Sequence, residues 1–389
     1  MPAHPPHSPL PATLPPLSLY VHLPWCVRKC PYCDFNSHER DGDLPEAAYL
    51  AALLTDLEQE LPDVQGREVT SLFFGGGTPS LLSPGFYQTL LTRLREQLPF
   101  ARDIEITLEA NPGTVEQDRF DGFRAAGINR LSLGVQSFND QHLRALGRIH
   151  GGAEAIRAAG QARRAGFDNI NLDLMHGLPG QTPEQALADL RQAIALAPEH
   201  ISWYELTIEP NTAFYRAPPT QPDGDTLADT EMAGFDVLAE AGYGRYEVSA
   251  FARADRQCRH NLNYWTFGDY LALGAGAHGK ITRPDGIYRY RKTRLPGHYL
   301  AEDGTRRCGL APVPADELPG EFMLNALRLV AGVPAAMFPA HTGLPLDQLA
   351  DALTRGRARG LLSNDPQRLA CTTLGQRHLN HTLGLFLSA

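Results

Sequence analysis

Over the first 210 residues, short apolar runs alternate with stretches in which apolar positions recur every three or four residues. The runs at 17–23, 69–74, 104–108, 130–135, 170–175 and 201–206 read as strands. Between the first two, Tyr49, Leu50, Leu53, Leu54, Leu57 and Leu61 share one face of a helix predicted over 46–61. Ser83 followed by Pro84 opens a second helix, and Thr114 with Gln117 has capping-box spacing for a third. A short helix is expected near Asp140, another over about 153–165, and Thr182, Pro183 and Gln185 open a further one. Six strand-then-helix units predict a parallel sheet covered by helices, either open and doubly wound or curled into a barrel. Unusual residues collect where strands end: a cysteine loop, Gly75 to Thr78, Glu109, Gln136, Asp173 and Glu205 to Thr207. That placement favours a barrel, complete or partial.

Beyond Glu209 the regularity weakens. Pro210, Pro218, Pro219 and Pro222 lead into a helix expected at about 226–241, followed by apolar stretches at 246–251 and 270–281. Pro312, Pro314 and Pro319 read as a linker to three helices within 321–330, 346–357 and 374–385. Between the last two, 361–363 and 368–372 flank a turn at Asn364, Asp365 and Pro366. Helices with a hairpin resemble a winged helix, but the last helix has few basic residues, so packing or a lid role is expected rather than DNA contact. The expected division is a disordered tail 1–17, a barrel 18–235, a barrel-completing segment 236–310 and a winged-helix-like C-terminal domain 311–389.

Hydrophobic residues make up 43% and charged residues 20% of the chain, which excludes disorder of the whole. A formal net charge of −9 argues against non-specific nucleic-acid binding. No apolar window is long enough for a membrane helix. The first residues are proline-rich and lack Lys and Arg, so they read as a tail rather than a signal peptide, and a cytoplasmic protein is expected. Cys26, Cys30 and Cys33 are clustered while Cys258, Cys308 and Cys371 are scattered, which suggests a metal site rather than a disulfide framework.

The clustered cysteines have the spacing Cys-x3-Cys-x2-Cys directly after the first strand. Thiolates select zinc or an iron–sulfur cluster. Structural zinc requires a fourth ligand, for which His22 or His38 is available. A cubane cluster on three cysteines leaves one iron for an external ligand. Tyr20-Val21-His22-Leu23-Pro24-Trp25-Cys26-Val27-Arg28-Lys29-Cys30-Pro31-Tyr32-Cys33, with Gly75-Gly76-Gly77-Thr78-Pro79-Ser80 after the second strand, resembles the radical SAM superfamily. The resemblance implies a partial (β/α)6 barrel and a [4Fe–4S] cluster whose open iron takes the amino and carboxylate groups of S-adenosylmethionine. It also implies one-electron cleavage of that cofactor to a 5′-deoxyadenosyl radical, in a site that excludes water and stray hydrogen donors. Glycines let the backbone approach the methionine moiety. Glu109 offers acceptors for ribose hydroxyls, and Gln136, Arg148 and Asp173 suit ribose or carboxylate. Taken singly, each reads equally as a helix cap or a surface ion-pair partner. By resemblance to coproporphyrinogen dehydrogenase-like proteins, Tyr20, Tyr32, Gly76, Gly77, Thr78, Glu109, Gln136, Arg148, Asp173 and Thr207 match cofactor-contact positions.

The resemblance extends over nearly the whole chain after the tail, through residues 108–114, 134–138, 146–150 and 173–179. Two branches share these segments, the oxygen-independent coproporphyrinogen III dehydrogenases and the HemW-like haem chaperones. The dehydrogenases extend the thiol motif with a fourth cysteine, where this chain has Phe35, and carry a longer structured N-terminal segment; both departures favour the chaperones. His260-Asn261-Leu262-Asn263-Tyr264-Trp265 resembles the His-Asn-x-x-Tyr-Trp haem motif of the chaperone branch. His260 is the expected axial ligand, Tyr264 the alternative and Cys258 a weaker one, with Trp265 and Phe267 packing on the porphyrin. The competing reading is a loop in which Asn261 and Asn263 make turn bonds. The resemblance thus implies a chaperone that binds haem and passes it to acceptors such as respiratory enzymes. Monomer and homodimer both stay open, and oxidative decarboxylation of coproporphyrinogen III is not expected. A radical SAM enzyme acting on another substrate is the third reading.

Overall fold

The computed structural model describes residues 13–40, 42–114, 117–301 and 306–387. Six predicted strands are present: β1 (Leu17–Leu23), β2 (Val69–Gly76), β3 (Phe100–Ala110), β4 (Arg130–Gln136), β5 (Ile170–His176) and β6 (His200–Glu205). Each pairs in parallel with the next along the chain. Helices α1 (Glu46–Glu60), α2 (Pro84–Gln97), α3 (Gln117–Ala126), α4 (Gly152–Arg164) and α5 (Pro183–Ala195) form the crossovers. Strands covered this way are buried on both faces; in β1 only Tyr20 is not fully buried.

The local signals act as expected at two helix starts. Ser83 Oγ accepts from the Phe86 N–H at 3.2 Å, and Thr182 and Gln185 cap each other reciprocally at 3.3 and 2.9 Å. The Thr114 side chain, expected to cap α3, and residues 1–12 of the expected tail lie outside the described residues. Leu17, where the expected tail and the expected first strand overlap, opens β1 and is fully buried.

Segment 236–310 extends the sheet at both ends. Past β6 lie β7 (Gly244–Glu247) and β8 (Ala250–Ala252), with β8 antiparallel to β6. At the other end β9 (Asp269–Leu273) pairs in parallel with β1, followed by β10 (His278–Arg283), β11 (Gly286–Lys292) and β12 (Arg307–Pro312), all antiparallel. The order is β12-β11-β10-β9-β1-β2-β3-β4-β5-β6-β8-β7. β6 and β9 do not meet, so the six parallel units form an unclosed barrel. The apolar stretch at 270–281 becomes two antiparallel strands because only a short turn separates them, and parallel strands need a long crossover.

The C-terminal region has its own core, in which Phe322, Met323, Phe338, Leu349 and Leu353 pack with Tyr246 and Ile287 from the sheet and with Phe267 from the turn before β9. The expected hairpin is present, with Ser363 N–H donating to Ala370 O at 2.9 Å and Thr372 N–H to Leu361 O at 3.0 Å. The single helix expected over 374–385 is instead two short ones, Thr373–Arg377 and Leu379–Leu383, because His378 leaves helical geometry at φ −115° and ψ 44°. Among the described residues no helix is long and apolar enough to cross a membrane.

A buried charge cluster fastens the β11–β12 end of the sheet to α1. Lys292 Nζ lies 2.5 Å from both Asp56 and Glu60, and all three side chains are fully buried. Tyr299 donates to Asp56 at 2.6 Å, Tyr290 donates to Glu60, and Arg307 reaches Glu60 at 2.6 Å and Asp63 at 2.8 Å. Replacing Lys292 by Met strands two carboxylates without their central cation. Denaturant unfolding should then show a loss of about 3–5 kcal/mol, the range for breaking one side of a buried pair.

Candidate functional site

The cysteine loop leaves β1 and is held at both ends. Its short strand Trp25–Cys26 pairs with His38–Glu39. The glycine segment after β2 is joined to it by backbone: Gly77 N–H donates to Leu23 O at 2.8 Å and Thr78 N–H to Trp25 O at 2.7 Å. A Cβ on Gly77 would collide with the Trp25 carbonyl, and Gly76 sits at φ +119°, so both positions require glycine. On the other side Asn36 Nδ2 donates to the Ala275 and Arg294 carbonyls, each at 2.9 Å, tying the loop to the segment around β10 and β11.

A cavity of about 650 Å³ opens at the carboxyl ends of the parallel strands. Cys26, Cys30 and Cys33 line it together with Tyr32, Gly76, Gly77, Thr78, Glu109, Gln136, Arg148 and Asp173, so the structure gathers most of the expected residues in one place. Glu109 accepts from the Gly76 N–H at 3.2 Å. Burial, then the neighbouring Asp173 carboxylate, pushes the Glu109 carboxyl up to about 8. Asp173 is also raised by burial, although Ser132 at 2.7 Å and Asn171 at 2.8 Å donate to it. Arg148 donates to Gly134 O at 2.6 Å and to the Cys30 sulfur at 3.7 Å, while its Nε has no partner among the described residues. Gln136 holds a left-handed backbone, φ 69°, and its amide oxygen accepts from Tyr204 at 2.8 Å.

Two expected contacts lie elsewhere. Tyr20 faces a second cavity, and its hydroxyl meets His22 Nδ1 at 2.9 Å. Thr207 is exposed and lines neither cavity, because β6 ends at Glu205 and side-chain alternation no longer applies beyond it. The sixth strand instead presents Ser202 and Tyr204 to the first cavity. Neither was singled out from the sequence, though they stand two apart on a predicted strand and therefore share a face.

Burial, then the nearby Cys33 thiol, pushes the Cys26 thiol up to about 11, and burial raises Cys33 as well. Thiols that resist ionisation alone, brought to one wall by one loop, suit a cationic centre that supplies the missing positive charge. Among the described residues no His, Cys, Asp and Glu side chains are already drawn together around a metal position, so the three thiols face the cavity separately. His22 and His38, the candidates for a fourth zinc ligand, are hydrogen-bonded to Asn36 at 2.9 and 3.2 Å and do not line the thiol cavity.

The second cavity, about 1190 Å³, shares Phe35, Gly76, Glu109, Asn261 and Trp265 with the first. The segment with haem-motif resemblance is a short helix, Arg259–Trp265, not a loop. His260 is 2% exposed and turned into the core. Its Nδ1 meets Ser71 Oγ at 3.0 Å, its Nε2 meets Tyr264 OH at 3.2 Å, and its ring stacks on Phe73 at 5.1 Å. Burial, then the Arg130 charge, pushes its pKa down to about 3. Cys258 is buried against Glu105, and Phe267 packs on Phe322 at 5.5 Å. So His260, Cys258 and Phe267, expected to meet haem, face inward, while Asn261, Tyr264 and Trp265 face the second cavity. His260 and Tyr264, four apart on the helix, are in edge contact with ring centroids 4.9 Å apart.

Comparison with known proteins adds three findings. A sequence profile of the radical SAM superfamily matches residues 20–193, and one of the HemN C-terminal domain matches 313–378. The "Heme chaperone HemW" of Escherichia coli (strain K12) is 52% identical over 376 residues, covering 96% of this chain and 99% of that protein. The protein of the same name from Haemophilus influenzae is 50% identical, with 96% and 99% coverage. Among solved structures, coproporphyrinogen III oxidase (HemN) from Escherichia coli, described there as a radical SAM enzyme, superposes with a TM-score of 0.81 at 25% identity, over 96% of this chain and 90% of that one.

The Glu109 carboxyl has an ordinary value of 4.5 and rises to about 8 in the fold, so between those values the folded protein holds a proton that the unfolded chain has lost. Its stabilising proton is fully present below pH 4.5 and lost as the pH rises toward 8. Urea unfolding of the cluster-free protein should show the stability difference between the native chain and Glu109→Gln shifting against the native chain from pH 5 to pH 8.

Proposed function

We propose a haem-carrying function for this chain, which belongs to the radical SAM superfamily and, within it, to the family of the haem chaperone HemW. The observation that carries the proposal is the near-full-length likeness to proteins of that name. In this reading the chain binds haem and passes it to acceptor proteins such as respiratory enzymes, in the cytoplasm.

Membership of the superfamily implies an iron–sulfur cluster and S-adenosylmethionine. Cys26, Cys30 and Cys33 are the thiols that would hold a [4Fe–4S] cluster. When bound, the pair supplies one-electron reductive cleavage of a carbon–sulfur bond. The chain's own residues bind and orient. The bare backbone at Gly76 and Gly77 admits the methionine moiety, Thr78 and Arg148 offer donors to its carboxylate, and Glu109, Gln136 and Asp173 offer acceptors to amino and ribose groups. Tyr32 closes the cavity beside Arg148, and Tyr20 supports the opposite wall through His22. A Glu109 that is protonated at neutral pH donates one hydrogen bond where its carboxylate would only accept.

Haem is assigned to the second cavity, with Tyr264, Trp265 and Asn261 on its wall. His260 acts as a positioning residue that fixes the Tyr264 hydroxyl. Phe35, 62% exposed, stands in the thiol loop where the dehydrogenase branch carries a further cysteine, so porphyrinogen turnover is not expected.

After anaerobic reconstitution, Cys26→Ala, Cys30→Ala or Cys33→Ala should each lose the iron and sulfide that Cys371→Ala retains. Stoichiometric zinc without iron would overturn the cluster. Haem titration should show binding that survives loss of the cluster cysteines. With reductant, S-adenosylmethionine and coproporphyrinogen III, product chromatography should show no sustained protoporphyrinogen formation; many turnovers would move the chain to the dehydrogenase branch.

A further inference from the structure

The second cavity carries a row of residues that neither the cluster chemistry nor the haem-motif resemblance uses. On β10 and β11, His278 is directly opposite Arg291, and Arg291 is directly opposite Cys308 on β12. Residues opposite one another on paired strands project from the same face. All three line the second cavity, with Arg294 two residues past β11 beside them.

Two of the histidines already met are spent. His22 has partners at both ring nitrogens, Tyr20 and Asn36, and His260 has Ser71 and Tyr264. His278 differs: it is exposed to the cavity, and its ring has no hydrogen-bond partner among the described residues. Burial, then Arg291 and Arg289, lowers its pKa, so the imidazole is neutral at pH 7 with a nitrogen lone pair free. Tyr264 is a poorer donor to a metal. Burial raises its phenol well above the usual value, and its hydroxyl is already bonded to His260.

The charges point the same way. Lys292, which also reaches this cavity, is neutralised by Asp56 and Glu60. Arg291 and Arg294 have no ion-pair partner among the described residues; Arg294 donates only to Asn36, at 3.1 Å. Facing them are Asp34 and Glu109, and Glu109 is held protonated below about pH 8. The wall therefore keeps a cationic surplus at pH 7, which suits a ligand with two carboxylates, and guanidinium groups pair with carboxylates in a fork. Tyr264, Trp265 and Tyr270 supply an aromatic wall, with Tyr264 and Tyr270 ring centroids 4.4 Å apart. The volume, about 1190 Å³, exceeds the roughly 300–1,000 Å³ of ordinary small-molecule pockets.

We propose that this cavity seats haem with its iron on His278, its two propionates on Arg291 and Arg294, and its porphyrin face against the Tyr264–Trp265 wall. The proposal rests on the haem-carrying reading and adds the ligand and the anion contacts, which lie on β10, on β11 and just past β11, and not in the His-Asn-x-x-Tyr-Trp segment.

Three probes separate the parts in the full-length, cluster-loaded protein: haem, its dimethyl ester, which lacks propionate charge, and iron-free protoporphyrin. His278→Ala should change the Soret band and weaken haem about tenfold or more, the scale of one lost ligand contact, while leaving protoporphyrin affinity unchanged. The double variant Arg291→Gln, Arg294→Gln should weaken haem and protoporphyrin alike and leave the dimethyl ester unaffected. Iron and sulfide content, equal in all variants, verifies that they fold. Haem spectrum and affinity unaltered in His278→Ala, or altered instead in Cys308→Ala alone, overturns the iron assignment and leaves haem carriage standing. An unaltered protein that takes no haem removes the functional reading, and this seat with it.

Discussion

Parallel pairing brings the carboxyl ends of six neighbouring strands to one rim, and the chemistry of the molecule depends on that constraint. The thiols follow β1, the glycine segment follows β2, and Glu109, Gln136, Asp173 and Tyr204 stand at or near the ends of β3 to β6. β1 carries the most, since it pairs with β2 on one side and β9 on the other. A slip of one residue would turn Tyr20 into the core and expose Leu19 or Val21 in its place. With Leu17 and Leu19 buried on one side of Tyr20 and Val21 and Leu23 on the other, the register of β1 is fixed, and the thiol loop starts from a fixed point.

Chemistry at strand ends was legible in the sequence where a residue type is costly anywhere else. The clustered cysteines, Gly76 and Gly77, and the acids Glu109 and Asp173 came together in one cavity. Legibility ended where contact depends on facing. Thr207 was one strand end too far, while Tyr204 and Ser202, inside the strand, carried no chemical oddity to mark them. The inward turn of His260 was hidden for the related reason that a six-residue match says nothing about which side of a helix faces the core. The six parallel strands were legible because burial on both faces makes long apolar runs. The flanking strands were not, since β7, β8 and β12 are short or exposed and lack a period.

Polar groups held at this rim are bought with burial elsewhere. Glu109 and Asp173 are carboxyls raised by desolvation, and Gln136 keeps a left-handed backbone that a residue with a side chain adopts at a cost. Opposing this is the Lys292–Asp56–Glu60 cluster, in which every charge has a partner. Local rules broken at the rim and obeyed in the fastening between α1 and the outer strands are what a molecule with one functional end requires.

Asn36 belongs to the thiol loop, yet both of its amide hydrogen bonds end on the segment that walls the second cavity. The two cavities therefore share a hinge pin. A bound group that ordered the thiol loop would act on the wall beside Arg294 through those two bonds, and thermodynamic reciprocity would make the reverse effect equal. A protein whose task is to hold a ligand and later release it gains from such a link, because occupancy on one side can set the residence time on the other without any contact between the two ligands.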